Sequence, residues 1–343
     1  MTRATLILGL ESSCDETAAA VVADGRDVLS SVVASQARLH EKYGGVVPEL
    51  AARAHIQNLL PVLRETLAQA HVAPADLDAI AVAHTPGLVP ALLIAVTAAK
   101  TLAWAWQKPL IAINHIHSHL QSVMLEHDES CFPAVALVVS GGHTSLYHAR
   151  DPLLLELLGR TIDDAAGEAF DKVATILQLP YPGGPNIEKI ARLGDPNAID
   201  FPRTWLAKDS LDFSFSGIKT AVLYYCRGQN MLGQNRVPAM TEKEKADVAA
   251  SFQKAVVDVL TKKTLRAADR TNSNTVLLGG GVAANSALRD ALQHACEKTH
   301  RRLVVAPKKY CTDNAAMVAG LAYHKLRANQ TADLTLEALP HHA

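Results

Sequence analysis

Twice along this chain an apolar strand runs into a turn of small and hydroxyl residues, a second strand follows, and a charged turn closes the unit. The first copy is Leu6-Ile7-Leu8-Gly9-Leu10, then Glu11-Ser12-Ser13-Cys14-Asp15-Glu16, then Ala18-Ala19-Ala20-Val21-Val22 and the turn Asp24-Gly25. The second is Ala134 to Val139, then Ser140-Gly141-Gly142-His143-Thr144-Ser145, then Leu146-Tyr147-His148 and the turn Arg150-Asp151-Pro152. Two hairpin-led α/β halves imply an internal duplication, with a cleft between the halves. Between the copies the pattern predicts a helix after Pro48 kinked at Pro61, a strand at Ala79–Ala83, a small-residue helix from Pro90, a strand at Leu110–Ile113 and a further helix.

Composition narrows the function classes. At 343 residues and 49% apolar content the chain can bury a large core, as two domains or one large α/β unit. A formal net charge of -1 provides no global basic field, so a nucleic-acid partner would have to meet a local patch or be held jointly with another subunit. Five cysteines, odd in number and without CxxC spacing, argue against a disulfide framework and for a reducing compartment, the cytoplasm. The start of the chain meets acids too early for a signal peptide. The longest apolar stretch, Leu88 to Trp106, contains Pro90 and Lys100 and reads as a buried helix, so no membrane role is expected.

The chemistry-bearing residues fall in a few places. In His115-Ile116-His117-Ser118-His119 a helix puts His115 and His119 one above the other, with His117 on the opposite side. This is a two-point metal clip resembling the HExxH of zinc proteases, but Ile116 stands where a water-activating carboxylate would be needed. Two histidines so spaced can equally be hydrogen-bonded core residues. The acidic turn with Glu11, Asp15 and Glu16 suits a cation, or is simply solvated. In the second copy Gly141 and Gly142 would let backbone N–H groups approach a phosphate, although a plain hairpin turn also favours glycine.

Further on, Asp163 to Lys172 opens a helix rich in first-turn acids, and Tyr181-Pro182-Gly183-Gly184-Pro185-Asn186 reads as a rigid loop before a helix at Ile187–Leu193. Asp212-Phe213-Ser214-Phe215-Ser216-Gly217-Ile218-Lys219 alternates like an edge strand, or offers Ser and Lys to an anion. Thr241 to Glu244 is a capping box, and the helix it starts ends in Lys262, Lys263, Arg266 and Arg270, a solvated terminus or an RNA contact. Gly279-Gly280-Gly281 closes a strand; it is neither the dinucleotide fingerprint nor a Walker A loop, yet it leaves bare backbone for a ligand, with Asn285 capping the next helix or bonding a sugar hydroxyl. Asp313, near the start of the last helix, is either that helix's N-cap or a third metal ligand.

These pieces together resemble the universal tRNA threonylcarbamoyladenosine synthase family, in its bacterial transferase form, once taken for a glycoprotease. Eight ordered motifs, spread nearly end to end, carry the resemblance: Gly9 to Thr17, His115 with His119, Val139 to Thr144, Gly167 to Lys172, Tyr181 to Pro185, Asp212 to Gly217, Gly279 to Asn285, and Cys311 to Asn314. Residues 227–238 have the least family character. The resemblance implies the α/β fold of actin-like ATPases, sugar kinases and heat-shock chaperones. That means two duplicated lobes around a central cleft, at 1–130 and 131–343, with the final helix from about Asp313 returning to the first lobe.

It implies that His115, His119 and Asp313 hold one divalent metal, Fe(II) favoured and Zn(II) possible by ligand type. It also implies that Val138, Val139, Ser140, Gly141, Gly142, Asp171, Gly184, Glu188 and Asn285 line a threonylcarbamoyl-AMP site. Glu11 is a further activity-related acid without a derived role. The expected reaction is transfer of threonylcarbamoyl from threonylcarbamoyl-AMP to N6 of the adenosine next to the anticodon, in tRNAs that read ANN codons. The expected partners are tRNA, a paralogous subunit of the same fold and a small P-loop ATPase. The alternative is a metal-dependent small-molecule kinase or ATPase on the same fold; a metalloprotease is disfavoured by Ile116.

Overall fold

In the computed structural model residues 3–125, 131–228 and 235–341 are described; the acidic run 126–129 and part of the 227–238 loop lie outside them. The chain forms two compact units, one of Met1–Ser130, Asp151–Leu154 and Ala306–Ala343, the other of Cys131–Arg150 and Leu155–Val305.

The first unit is built on strands β1 (Leu6–Glu11), β2 (Glu16–Ala23), β3 (Asp27–Ser35), β4 (Ala79–Thr85) and β5 (Leu110–Asn114), in the order β3-β2-β1-β4-β5. The first three are antiparallel, with Leu8 opposite Val21, whereas β4 and β5 join in parallel. Strand alternation sends side chains to two cores. Ile7, Ala18, Ala20 and Val22 pack with Met317, Val318 and Leu321 of the last helix, α10 (Ala315–Arg327). Leu8, Leu10, Ala19 and Val21 pack with α2 (Pro48–Ala70) and α3 (Val89–Trp106). Gly9 lies on the α10 side, where a Cβ would collide with the Ala315 carbonyl, so this glycine permits the close approach of helix to sheet. Between β3 and α2 lies the short α1 (Ala37–Glu41). Helix α2 runs on through Pro61 as one helix. Helix α3 is long and apolar enough to cross a membrane, but its Ala91, Leu92, Ala95, Val96 and Ala99 face is buried in this unit.

The second unit repeats the plan. Strands β6 (Ala134–Val139), β7 (Thr144–Ala149), β8 (Leu155–Arg160), β9 (Thr275–Gly279) and β10 (Arg302–Val305) run β8-β7-β6-β9-β10, again three antiparallel and then two parallel. The helices are α5 (Ala166–Ile176), α6 (Gly183–Ala191), α7 (Ser216–Arg227), the 29-residue α8 (Glu242–Arg270) and α9 (Ser286–Lys298). Thr241 and Glu244 form the reciprocal capping box that starts α8.

Several local readings change. The third strand of each sheet, β3 and β8, follows directly on the charged turn of its hairpin. Gly183-Gly184-Pro185 is the first turn of α6 instead of a loop. The Asp212–Lys219 segment is no edge strand: apart from one bridge between Thr161 and Phe213 it is irregular, then helical from Ser216. Phe213 and Phe215 are both buried and stacked, 6.1 Å between ring centres.

Candidate metal centre and glycine-lined site

In the first unit, β5 ends at Asn114, whose side chain accepts from the His117 N–H at 3.1 Å and so starts helix α4 (His115–Gln121). The helix buries His115 and His119 and leaves His117 half-buried. Their rings meet edge to face, 4.8 Å between centres. On the far side of the sequence Asn314 is the true cap of α10, accepting from the Met317 N–H at 3.0 Å, which relieves Asp313 of that task. Asp313 Oδ1 lies 3.2 Å from His119 Nε2 and 3.7 Å from His115 Nε2. One ligand atom from each of the three fits within 4.8 Å of the others.

Two observations fit this set to a metal ion. His119 is fully buried, yet among the described residues neither of its ring nitrogens meets a partner in hydrogen-bond geometry, even with Asp313 Oδ1 3.2 Å from Nε2, a costly state for an imidazole unless another group satisfies it. His115, by contrast, is held from behind: its Nδ1 is 3.0 Å from Glu11 Oε2 and 3.2 Å from Ser13 Oγ, while Glu11 Oε1 accepts from the Ser13 N–H at 2.6 Å. A carboxylate on Nδ1 orients the ring so that Nε2 faces Asp313, where a cation displacing the Nε2 proton would take up the electron pair. Glu11 thereby acquires a role that its sequence position did not reveal.

The surroundings carry excess negative charge. Burial works against a charged His115, but the Glu11 and Asp313 carboxylates outweigh it and push its pKa up to about 9. Glu16 is pushed up to about 10 by burial and by the Asp313 and Asp15 carboxylates. Burial, with Asp15 and Asp313 nearby, also raises the Cys14 thiol well above its ordinary value, so Cys14 stays neutral instead of offering a thiolate. A cation among these groups would relieve the repulsion.

The second unit brings the glycine motifs together. The turn after β6 is closed by Ser140 N–H donating to the His143 carbonyl at 2.8 Å, and the start of α5 is pinned on it: Glu168 N–H donates to the Gly141 carbonyl at 2.9 Å and Ala166 N–H to Thr144 Oγ1 at 2.9 Å. Asp171 accepts from the Gly183 N–H at 2.7 Å, which sets the start of α6. Glu188 bonds Ser286 Oγ at 2.6 Å and Arg192 at 2.7 Å, tying α6 to α9. Asn285 caps α9 through Leu288 N–H at 3.0 Å and donates to Gln253 Oε1 at 2.8 Å. Val138 and Val139 are fully buried sheet residues, so only their backbone can face a ligand.

The glycines divide into two kinds. Gly167, Gly183 and Gly280 are required by packing, since a Cβ there would strike neighbouring backbone, and Gly280 also has φ +92°. Gly141, Gly142, Gly184 and Gly281 have no such reason: a Cβ on each would meet nothing within 4 Å, and none has a left-handed φ. Open space beside bare backbone is what a ligand lying against these turns requires.

Two other candidate groups are structural. Asp163 accepts from Ser214 Oγ at 2.5 Å, Ser216 Oγ at 2.6 Å and Phe215 N–H at 2.9 Å. Burial opposes its charge, yet these bonds win and hold its carboxyl below the usual range. Lys219 pairs with Asp164 at 2.8 Å, so this segment spends its polar groups internally. Lys263, Arg266 and Arg270 donate to carbonyls of Trp205, Lys208, Asp209 and Asp212, and Lys262 sits 4.8 Å from the Trp205 ring centre. They hold down the 205–212 segment, with Lys263 buried and Lys262 and Arg270 still exposed to solvent.

A duplicated pair of sheets, each an antiparallel hairpin-led triple extended by two parallel strands, defines the class: an α/β protein of the actin-like ATPase and sugar kinase fold. Solved structures agree. Component A of (R)-2-hydroxyglutaryl-CoA dehydratase from Acidaminococcus fermentans superimposes with a TM-score of 0.55 at 15% identity, over 94% of this chain and 99% of that one. The ROK hexokinase of Thermus thermophilus gives 0.50 at 16% identity, over 95% and 99%. Within that class, the profile of the tRNA N6-adenosine threonylcarbamoyltransferase family matches residues 27–320. Relatives bearing that name are 52% identical in Moorella thermoacetica, over 98% of this chain and 96% of theirs, and 52% in Symbiobacterium thermophilum, over 98% and 96%. The chain belongs to the tRNA N6-adenosine threonylcarbamoyltransferase family.

Proposed function

We propose that this protein transfers the threonylcarbamoyl group of threonylcarbamoyl-AMP to N6 of the adenosine next to the anticodon of tRNA. The N6 lone pair attacks the carbamoyl carbon, a C–N bond forms, the C–O bond to the phosphate breaks, AMP leaves, and N6 gives up one proton. The observation that carries this reading is 52% identity across 98% of the chain to transferases of that name. The donor is already activated, so the protein's task is to position it and to stabilise charge. The backbone N–H groups of Gly141 and Gly142 face the phosphate, and the open glycines at 184 and 281 leave room for the nucleoside. His115, His119 and Asp313 would hold one divalent ion, Fe(II) or Zn(II), and that ion would supply Lewis-acid charge. Glu11 positions His115 for that ion.

With a net charge of -1, the protein shares its grip on tRNA with partners, a paralogous subunit of the same fold and a small P-loop ATPase, in the cytoplasm. The test is an assay with purified protein, candidate partners, tRNA and threonylcarbamoyl-AMP. Modified adenosine and AMP should form one for one. ATP turnover or phosphorylation of a small molecule, with unmodified tRNA, would favour a kinase of the same fold instead.

A further inference from the structure

Helix α8 is buried along most of its length by apolar residues, among them Ala249, Phe252, Val256 and Val257; two polar side chains are buried in the same run, Ser251, which bonds the 195–199 segment, and Gln253, only 8% exposed. A buried amide is tolerated when its donors and acceptor are used. Here the network fixes which end does what. The Leu288 N–H can meet only an acceptor, so Asn285 presents Oδ1 to it; Asn285 Nδ2 must then find an acceptor, and Gln253 Oε1 supplies it at 2.8 Å. Gln253 Nε2 is left at the other end, with no acceptor among the described residues and without being sealed from solvent. Its surroundings are those of the donor site: Asn285 follows the open Gly281, and Phe252 packs on Phe170, the neighbour of Asp171, at 5.1 Å between ring centres.

We propose that Gln253 is a substrate-contact residue whose amide N–H groups donate to the adenosine part of the adenylate, to an adenine ring nitrogen or a ribose oxygen. The inference rests on the donor site described above. A neutral amide whose oxygen is already committed can only give protons, and since the phosphate is served by the glycine turn, the acceptor left for it is on the adenosine. Asn285 is then a positioning residue: its cap to α9 and its bond to Gln253 aim the amide.

The experiment is calorimetric titration of AMP into the full-length protein and into two variants. Gln253→Glu keeps an acceptor for Asn285 and loses the donors; Gln253→Met is of similar length and uncharged. Both should bind AMP at least about tenfold more weakly, with the thermal midpoint of Gln253→Glu near wild type. In the assembled transfer assay KM for threonylcarbamoyl-AMP should rise more than kcat falls. Wild-type affinity in Gln253→Met overturns the proposal, and weakening in Gln253→Glu alone does the same, because it reports charge repulsion. If the wild-type protein binds neither AMP nor threonylcarbamoyl-AMP, the donor-site reading itself falls.

Discussion

At Glu11 a single carboxylate decides how a distant histidine presents itself. It spans 104 positions to reach His115 Nδ1 at 3.0 Å, and the same residue accepts the Ser13 N–H at 2.6 Å. Removing it frees the imidazole to turn or change tautomer. Glu11→Ala should therefore lower the affinity for divalent metal by roughly 10- to 100-fold, read by competitive titration against a chromogenic chelator, while Glu11→Gln retains part of it. Equal affinities would mean that Glu11 acts elsewhere. No local pattern could have shown this role, because the pairing is made by β1 and α4 meeting in space. The opposite case is Asp313, whose two readings were separated by its neighbour: once Asn314 takes the cap of α10, Asp313 lies against the histidines.

Elements show where the sequence pattern suffices and where it fails. Strong periodicity or clear capping announced β1, β2, β4, β5, α3, α4 and α8. Strands β3 and β8 escaped because their burial is broken and partial, with Leu29, Val33, Leu154 and Leu157 exposed at or beside sheet edges, so no clean alternation reaches the sequence. The phenylalanines at 213 and 215 are spaced as on one face of a strand, but Ser214 between them is buried as well, its hydroxyl on Asp163, and the backbone there is irregular instead of a sheet edge. Helix α6 supplies a prediction of its own. Gly184 sits in its first turn with open space where a Cβ would go, so Gly184→Ala should leave the thermal midpoint unchanged or raise it slightly. AMP binding should nonetheless weaken about tenfold, by obstruction of a ligand at the backbone; unaltered binding would remove Gly184 from the site.

The C-terminal segment gives another. Ala332 N–H donates to the Leu110 carbonyl at 2.8 Å and Leu339 N–H to the His84 carbonyl at 2.9 Å, while Lys100 Nζ holds the Leu336 carbonyl at 3.1 Å. Ala332, Leu336 and Ala338 pack on the first unit's core. Truncation after Asn329 should cost on the order of 3 kcal/mol, seen as a drop of several degrees in the melting transition of that unit; an unchanged transition would mean that the strap adds nothing.

For the whole molecule, the duplicated hairpin foretold the architecture because a hairpin-led sheet with helices must bury both faces, and the repeat does so twice in the same strand order. What the chain does was legible through its motifs more than through its charge. A net charge of -1 conceals a tRNA substrate, and the candidate metal ligands come from α4 and the segment before α10, with Glu11 of β1 behind His115, far apart in sequence. The central claim is that these residues serve threonylcarbamoyl transfer. The most direct test is the rate of transfer of labelled threonylcarbamoyl to tRNA by the His115→Ala/His119→Ala protein, assembled with its partners and shown by circular dichroism to be folded. The rate should fall at least about a hundredfold, together with loss of bound metal. A folded double variant that modifies tRNA at the wild-type rate would contradict the account.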